Sequence, residues 1–311
     1  IATAHGAQTG TGRMNYRTRH ETRYVYAEPT NASYNELRLS PLNLPSQTLI
    51  NKKLIVTPTP SEVAERIDYF GNPTWFVALD QPHSRMTVRV ESHVRIDQPT
   101  DVMAIYPSLS WEDARDQLRA PGNPEATAAL DFILDSPLIE AEAELEAYAR
   151  GSFAPGRPLM EAAIDLMQRI YQDFKFQPGT TDTATPLSEV LAHRRGVCQD
   201  FAQLGIGCLR SLGLPARYVS GYIETLPPPG KAKLKGAAAS HAWFSAFIPG
   251  FGWIDFDPTN NQIPTDQHIV VAYGRDFADV TPIKGVIFGA GQHKLSVAVD
   301  VERHTSPSGP L

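Results

Sequence analysis

Three stretches of different periodicity follow one another along the chain, and their order limits the folds open to it. Residues 14–98 carry short alternating segments separated by turn residues. Helix-forming segments broken by Pro and Gly fill 99–180, and a helix followed by several strands occupies the remainder. An all-β unit followed by a helix-and-sheet unit predicts an α+β fold.

The first stretch predicts a small β-sandwich. Its clearest strand is MTVRVESHVRI, in which Met86, Val88 and Val90 share one face through the period of two. The alternation breaks near Ser92, which predicts a bulge there. The sequence predicts an expression leader over 1–13 and the β-sandwich over 14–98. These are followed by a helical linker region over 99–156, a helix-and-sheet core over 157–303 and a tail over 304–311.

The core begins with a strongly amphipathic segment, RPLMEAAIDLMQRIYQDFKF. Apolar side chains recur in it at helical spacing and share one face: Leu159, Ala163, Leu166, Ile170 and Phe174. Thr185 and Pro186 suit the N-cap and first position of a following short helix. The next helix begins near residue 198, and Gly213 suits the position just after its end.

The charge balance argues against nucleic acid as a main partner. The net charge is −6 and the pI is near 5.9, and no basic stripe is evident. The sequence contains no run of about 18 apolar residues, so it predicts no membrane span. The chain has two cysteines, ten residues apart on one predicted helix, and these cannot form a disulfide framework. A cytoplasmic location is the simplest expectation.

The two cysteines occupy different positions on that helix. Cys208 shares an apolar face with Phe201, Leu204 and Leu212, which is typical of a core residue. Cys198 stands at the predicted helix N-terminus, where unpaired N–H groups and the helix dipole favour a thiolate. A cysteine that only packs a helix start gives the same local pattern, so the pattern alone leaves both interpretations open.

A nucleophilic cysteine needs a base. His193 is near in sequence but is flanked by two arginines and is predicted to be solvated. His241 is the better candidate, because it opens the apolar strand HAWFSAF directly after a long Pro-, Gly- and Lys-rich loop. A half-buried strand histidine is the alternative.

The base in turn needs an orienting carboxylate, and the motif GWIDFDPTN offers two. Asp257 precedes Pro258 at a predicted strand end, where a purely turn-forming role is the alternative. Asp255 lies on the same side of the strand and is the rival. A hairpin turning at 248–252 would bring His241 close to Asp257, and a helix N-terminus packed on the hairpin would supply Cys198.

These motifs resemble the transglutaminase-like superfamily of papain-type thiol enzymes, and in particular its bacterial cysteine peptidases. The resemblance rests on RGVCQDFAQLGIGCLRSLGLPARYVSGYIE, SHAWFSAFIPGFGW and IDFDPTN, and covers about 186–262. It implies Cys198 as nucleophile, His241 as base and Asp257, rather than Asp255, as orienting group. It also implies a papain-like core, and 14–98 resembles the N-terminal domain of bacterial members.

The implied reaction is attack of a thiolate on a carboxamide, with a thioester intermediate on Cys198. The resemblance favours hydrolysis of a peptide or protein amide; acyl transfer to an amine and a non-catalytic scaffold are the alternatives. No cofactor is predicted. No metal is predicted either, since calcium- and zinc-binding patterns are not evident. Tyr222 and Trp243 are weak candidates for substrate binding, with core packing as the alternative. The oligomeric state is not predicted.

Overall fold

The computed structural model describes residues 13–97, 108–120, 124–224, 240–289 and 291–304. Its strands, numbered along the chain, are β1 (Arg13–Thr30), β2 (Ala32–Leu37), β3 (Gln47–Thr57), β4 (Glu62–Ile67), β5 (Pro73–Leu79), β6 (His83–Asp97), β7 (Lys175–Phe176), β8 (Arg195–Gly196), β9 (Ala216–Ile223), β10 (Ser240–Ile248), β11 (Gly252–Phe256), β12 (His268–Gly274), β13 (Ile283–Phe288) and β14 (His293–His304). Its α-helices are α1 (Trp111–Arg119), α2 (Pro124–Leu130), α3 (Ala143–Arg150), α4 (Leu159–Asp173), α5 (Leu187–His193), α6 (Cys198–Ser211) and α7 (Phe277–Val280). The fold is α+β, as the sequence predicts.

The N-terminal part is a sandwich of two four-stranded sheets. One sheet has the strand order β14-β1-β6-β3 and the other β13-β2-β5-β4. The predicted inner face of β6 is confirmed, because Met86, Val88 and Val90 are buried between the sheets with Trp75 and Leu37. Apolar faces that meet in this way form one dry core.

The predicted bulge is displaced from β6 to its neighbour. Pairing of β6 with β1 runs unbroken through Ser92. The register shift lies in β3, between Leu49 and Asn51. Ser92 is fully buried and lies on the inward face of β6. The period of two therefore continues through Ser92, and the apparent break arises only because an inward position is occupied by a polar residue.

The end of the chain returns to the sandwich, which differs from the predicted core boundary at residue 303. Strand β13 pairs with β2, and β14 pairs with β1 over twelve residues, from Asn15↔His304 to Tyr26↔His293. Sequence periodicity can indicate a strand but cannot choose its partner, because pairing between distant strands is decided by tertiary packing. The predicted leader and tail lie outside the described residues, except for Arg13 and His304.

The second part packs helices on a sheet of order β11-β10-β9-β12. The apolar face predicted for α4 is confirmed, since all five of its named side chains are buried. Helix α6 crosses β10 closely, because a Cβ added to Gly205 would lie 2.5 Å from the Phe244 ring. Helices α3, α4 and α5 also pack against α6, so its residues 200–210 are buried and the position of its N-terminus is fixed.

Two local predictions can be compared at helix ends. Gly213 follows α6 with a φ of +76°, as the sequence predicts for that position. The N-cap of α5 is Pro186, one residue later than predicted, with extended backbone. Thr185 instead donates its hydroxyl to Asp182, which ties it to the preceding turn.

Two buried amides join the sandwich to the edge of the second sheet. Gln47 donates to the carbonyl of Val270 and accepts from its N–H, both at 2.8 Å. Asn72 makes the same paired contact with Tyr273, at 2.7 and 2.8 Å. Backbone N–H and C=O groups at the outer edge of β12 are thus hydrogen-bonded by side chains of the sandwich. These bonds fix the position of the sandwich relative to the second sheet. Within the described residues, no helix is long and apolar enough to cross a membrane.

Candidate active site

Cys198 is the first residue of α6, as predicted, and its side chain is partly exposed. Asp200 holds the backbone that leads into α6. Its carboxylate accepts from the Val197 N–H at 2.7 Å and from the Thr181 hydroxyl. A Cβ on Gly196 would lie 2.6 Å from that carboxylate, so glycine is required there. The local sequence therefore leaves the thiol at a helix N-terminus, where negative charge is favoured.

Cys208 has the opposite character. Its side chain is fully buried in the core. Burial raises the pKa of its thiol to about 12, so it stays protonated and unreactive near neutral pH. The core assignment made from sequence is confirmed.

His241 lies near the start of β10 and is largely buried. Its Nε2 lies 2.8 Å from Oδ2 of Asp257. Because that nitrogen is engaged by the carboxylate, Nδ1 is the nitrogen left for Cys198, with which the ring also interacts. The structure thus brings Cys198, His241 and Asp257 together, as the sequence motifs predict.

Asp257 uses its two oxygens for different purposes. Its Oδ1 accepts from the N–H groups of Thr259 and Asn260, at 2.9 and 3.2 Å. Its Oδ2 faces His241 and His268 at 2.8 and 3.0 Å. The two interpretations of Asp257 made from sequence are therefore compatible, since one oxygen closes the turn and the other orients the histidine.

Sequence reasoning missed two members of this cluster. His268 opens strand β12 and is buried, and Asn260 donates from Nδ2 to Oδ2 of Asp257 at 2.7 Å. His268 gives the same local signal as His241, a histidine at the head of an apolar strand. Asn260 follows Asp257 at the spacing of a turn. The turn itself brings Asn260 to the carboxylate, whereas His268 reaches it only when β12 pairs with β9.

The charges in the cluster stabilise one another. Burial opposes ionisation of His241, but bonds to Asp257 and Cys198 outweigh it and raise its pKa to about 9. Burial likewise opposes ionisation of Asp257, yet hydrogen bonds from His241 and His268 hold its pKa far below the ordinary value. The arrangement therefore favours an imidazolium facing a carboxylate on one side and a thiol on the other.

Asp255, the rival carboxylate, serves a different partner. Its Oδ2 accepts from the Trp243 indole N–H at 3.0 Å. Trp243 is fully buried, and its ring packs edge-on against His268 with centroids 5.0 Å apart. Asp255 thus fixes an aromatic side chain that in turn supports the histidine cluster.

The two weak substrate-binding candidates are core residues, contrary to that prediction. Tyr222 and Trp243 are 2% and 0% exposed, and neither lines the cavity at Cys198. The Tyr222 hydroxyl instead bonds His20 at 3.1 Å across the junction of the two parts. Both side chains point to the packed side of their strands. Sequence periodicity separates the two faces of a strand but does not show which face is packed. His193 is exposed, as predicted, and contacts Glu189 at 3.6 Å.

One group of side chains in the described part of the chain has the composition of a metal site. Ligand atoms of His241, Asp257 and His268 lie within 4.8 Å of one another. The Nε2 atom of each histidine is already at hydrogen-bonding distance from the same carboxylate oxygen, Oδ2 of Asp257. We therefore describe the group as a hydrogen-bonded cluster.

The thiol opens into a cavity of about 670 Å³. Cys198, His241 and Tyr218 line its floor from the helix-and-sheet part. Residues of β1 and β14 line the opposite side, so the sandwich forms one wall of the cavity. A concave, mostly apolar site with a few convergent polar groups is typical of a small-substrate or peptide site.

Comparison with known proteins agrees with this architecture. Residues 16–95 match the bacterial transglutaminase-like N-terminal region, and residues 146–258 match the transglutaminase-like superfamily. The sequence is 39% identical over 300 residues to an uncharacterized protein of Mycobacterium tuberculosis, and the match covers 93% of each chain. The chain belongs to the transglutaminase-like superfamily.

Two further relatives extend the comparison of this transglutaminase-like protein. A protein-glutamine gamma-glutamyltransferase of Pseudomonas aeruginosa is 27% identical over 219 residues, which cover 64% of this chain and 30% of that protein. A candidate cysteine protease of Cytophaga hutchinsonii has a similar structure, with a TM-score of 0.72 at 21% identity, covering 96% of this chain and 93% of that one. The second likeness shows the shared fold. The superfamily fold is that of a thiol enzyme.

Proposed function

We propose that this protein is a thiol-dependent hydrolase of amide bonds, with Cys198 as nucleophile, His241 as acid and base, and Asp257 as orienting group. The observation that carries the proposal is the contact of one buried histidine with both Asp257 and a cysteine at a helix N-terminus. Such an arrangement generates a nucleophile and supplies the proton that the leaving group needs.

The residues support a balanced two-step reaction. The Cys198 thiolate attacks the carbonyl carbon, forming an S–C bond, and the N–H of Cys198 donates to the oxyanion because the first N–H groups of a helix have no intrahelical acceptor. As the C–N bond breaks, His241 gives its proton to the departing nitrogen. Water then attacks the thioester while His241 takes up its proton, and the C–S bond breaks to restore the thiolate.

We propose water as the second nucleophile, which the resemblance of the sequence motifs to bacterial cysteine peptidases favours. The alternative, acyl transfer to an amine, is supported by the relative from Pseudomonas aeruginosa. Both reactions share the thioester, so the choice between them concerns only the acceptor.

The acceptor can be measured by competition. A glutamine-containing peptide library would be incubated with the enzyme in ¹⁸O water, with and without millimolar primary amine, and the products identified by mass spectrometry. We expect ¹⁸O carboxylate products at both amine concentrations. Amide-exchanged products that displace the carboxylates as amine increases would instead establish the transferase. Products that persist in Cys198→Ala would contradict both.

The rate is expected to fall as the pH rises through about 9. His241 has a raised pKa of about 9, so it holds its proton below that pH and loses it above. Without the proton, the leaving nitrogen departs unassisted. The same group contributes folding stability that is complete below its ordinary pKa of 6.5 and is lost through about pH 9.

The measurement is the pH dependence of kcat/KM together with alkylation of each cysteine by iodoacetamide. At pH 6, Cys198 should alkylate rapidly in the native protein and slowly in His241→Ala, while buried Cys208 serves as the unreactive internal control. Equal Cys198 rates in the two proteins at pH 6 would contradict a thiolate–imidazolium pair.

A further inference from the structure

The sandwich sheet that contains β1 and β14 has an inner face that is longer than the protein surface packed against it. On β14, Val299 and Val301 are fully buried in a cluster with Tyr222 and Ile269 of the second sheet. The same face continues through Leu295 and Val297, because side chains two apart on a strand share a side. The buried contact surface and the cavity wall are therefore one continuous strand face.

The continued part of this face is apolar and open. Leu295 and Val297 are 55% and 49% exposed, and both line the cavity with Cys198. They pair across the ladder with Tyr24 and Thr22 of β1, and these two side chains line the cavity as well. Aliphatic side chains exposed at the wall of a concave site mark a surface that a ligand covers.

Among the described residues that line the cavity, those outside the reacting pair carry no formal charge. The described lining residues include no Asp, Glu, Lys or Arg. His20, on the same wall, is buried, and this lowers its pKa to about 4, so it is neutral near pH 7. A charged substrate group placed here would lose its hydration without gaining a partner.

We propose that the substrate presents an uncharged aliphatic or aromatic side chain beside the reacting amide, and that Tyr24, Leu295 and Val297 of the sandwich bind it. This inference rests on the proposed function and names the substrate class of the same site. The sandwich then selects the substrate, while the helix-and-sheet part carries out the chemistry. Peptides with acidic or basic side chains at that position are rejected.

The test compares two thiol-reactive probes at Cys198, iodoacetamide and N-hexyl iodoacetamide. Their rate constants for Cys198 would be measured by mass spectrometry and referred to the ratio for free cysteine. We expect the hexyl probe to be favoured by at least about tenfold, since burial of a few methylenes is sufficient for that factor. Val297→Asp should abolish the preference for the hexyl probe over iodoacetamide.

A matched control is available in the other sheet of the sandwich. Val63 is 48% exposed on β4, away from the cavity lining, so Val63→Asp introduces the same charge at the same exposure. It should keep the hexyl preference. Leu295→Asp provides an independent cavity variant. Circular dichroism would establish that all three variants are folded.

A second measurement separates this inference from the proposed function. Binding of N-acetyl-Phe-Leu-amide and N-acetyl-Glu-Asp-amide to Cys198→Ala would be followed by NMR titration. We expect only the apolar peptide to bind, and Val297→Asp to weaken it about tenfold or more. Rapid, His241-dependent alkylation without a hexyl preference overturns the substrate class alone. Slow alkylation with selective binding of the apolar peptide overturns the chemistry and retains the subsite.

Discussion

Replacing Cys198 with alanine is expected to reduce amide cleavage by about 10⁴-fold or more, because loss of a covalent nucleophile removes the whole double-displacement route. The variant should fold normally, since Cys198 is only partly buried, at the edge of the core. The measurement is kcat/KM on the peptides identified by the acceptor experiment, alongside thermal unfolding.

Cys208→Ala is the matched control, since the two cysteines lie on one helix. It should retain near-native activity but lose about 1 kcal/mol of unfolding free energy, because the thiol is fully buried. The opposite pattern, with activity lost in Cys208→Ala and kept in Cys198→Ala, would exchange their roles and overturn the mechanism.

Asp257→Asn is expected to lower kcat about 10²- to 10⁴-fold, with a smaller effect on KM. The amide keeps the shape of the carboxylate but no longer stabilises an imidazolium or fixes which ring nitrogen carries the proton. Alkylation of Cys198 at pH 6 should slow in parallel, which a purely structural role of Asp257 would not cause.

Stability should respond to the same substitution with a defined pH dependence. The pKa of Asp257 is depressed from its ordinary 3.8, so the ionised carboxylate stabilises the fold above that pH and loses this effect as the pH falls further. The gap in unfolding free energy between native protein and Asp257→Asn should therefore be largest near neutral pH. It should narrow in acid.

Two comparators make this result specific. Asp255→Asn removes a carboxylate two residues away that bonds Trp243 and not His241, so it should keep most of the activity. His268→Gln should fall between the two, since it removes one of the side chains that donate to Asp257 Oδ2. Equal losses in Asp255→Asn and Asp257→Asn would mean that the turn, rather than the histidine contact, determines the rate.

The organisation of the site illustrates which properties local sequence can encode. Cys198 could be placed at a helix start because a loop glycine and an apolar period of about 3.6 residues are both local signals. His241 and Asp257 could be paired because a short hairpin joins their strands. Cys208 could be assigned to the core because it falls on the apolar face of the same helix.

The orientation of the aromatic side chains needed more information. Trp243 and Tyr222 stand on strands next to the site, yet both face packed surfaces. Alternation gives two faces to a strand but does not say which face meets the substrate when both are covered by protein. The second histidine, His268, lies far enough along the chain that only sheet pairing brings it to Asp257.

By itself, the sequence determined the α+β class, the two structural parts, the helix that begins at Cys198 and the hairpin that carries His241 and Asp257. All of these depend on contacts between residues near one another in the chain. The tertiary structure decided that the last strands return to the N-terminal sandwich and that the sandwich forms a wall of the cavity. Those contacts join Thr22 to Val297 and Tyr24 to Leu295. The alternation of residues within a strand does not show which distant strand it pairs with, so the sequence alone could not predict this ladder.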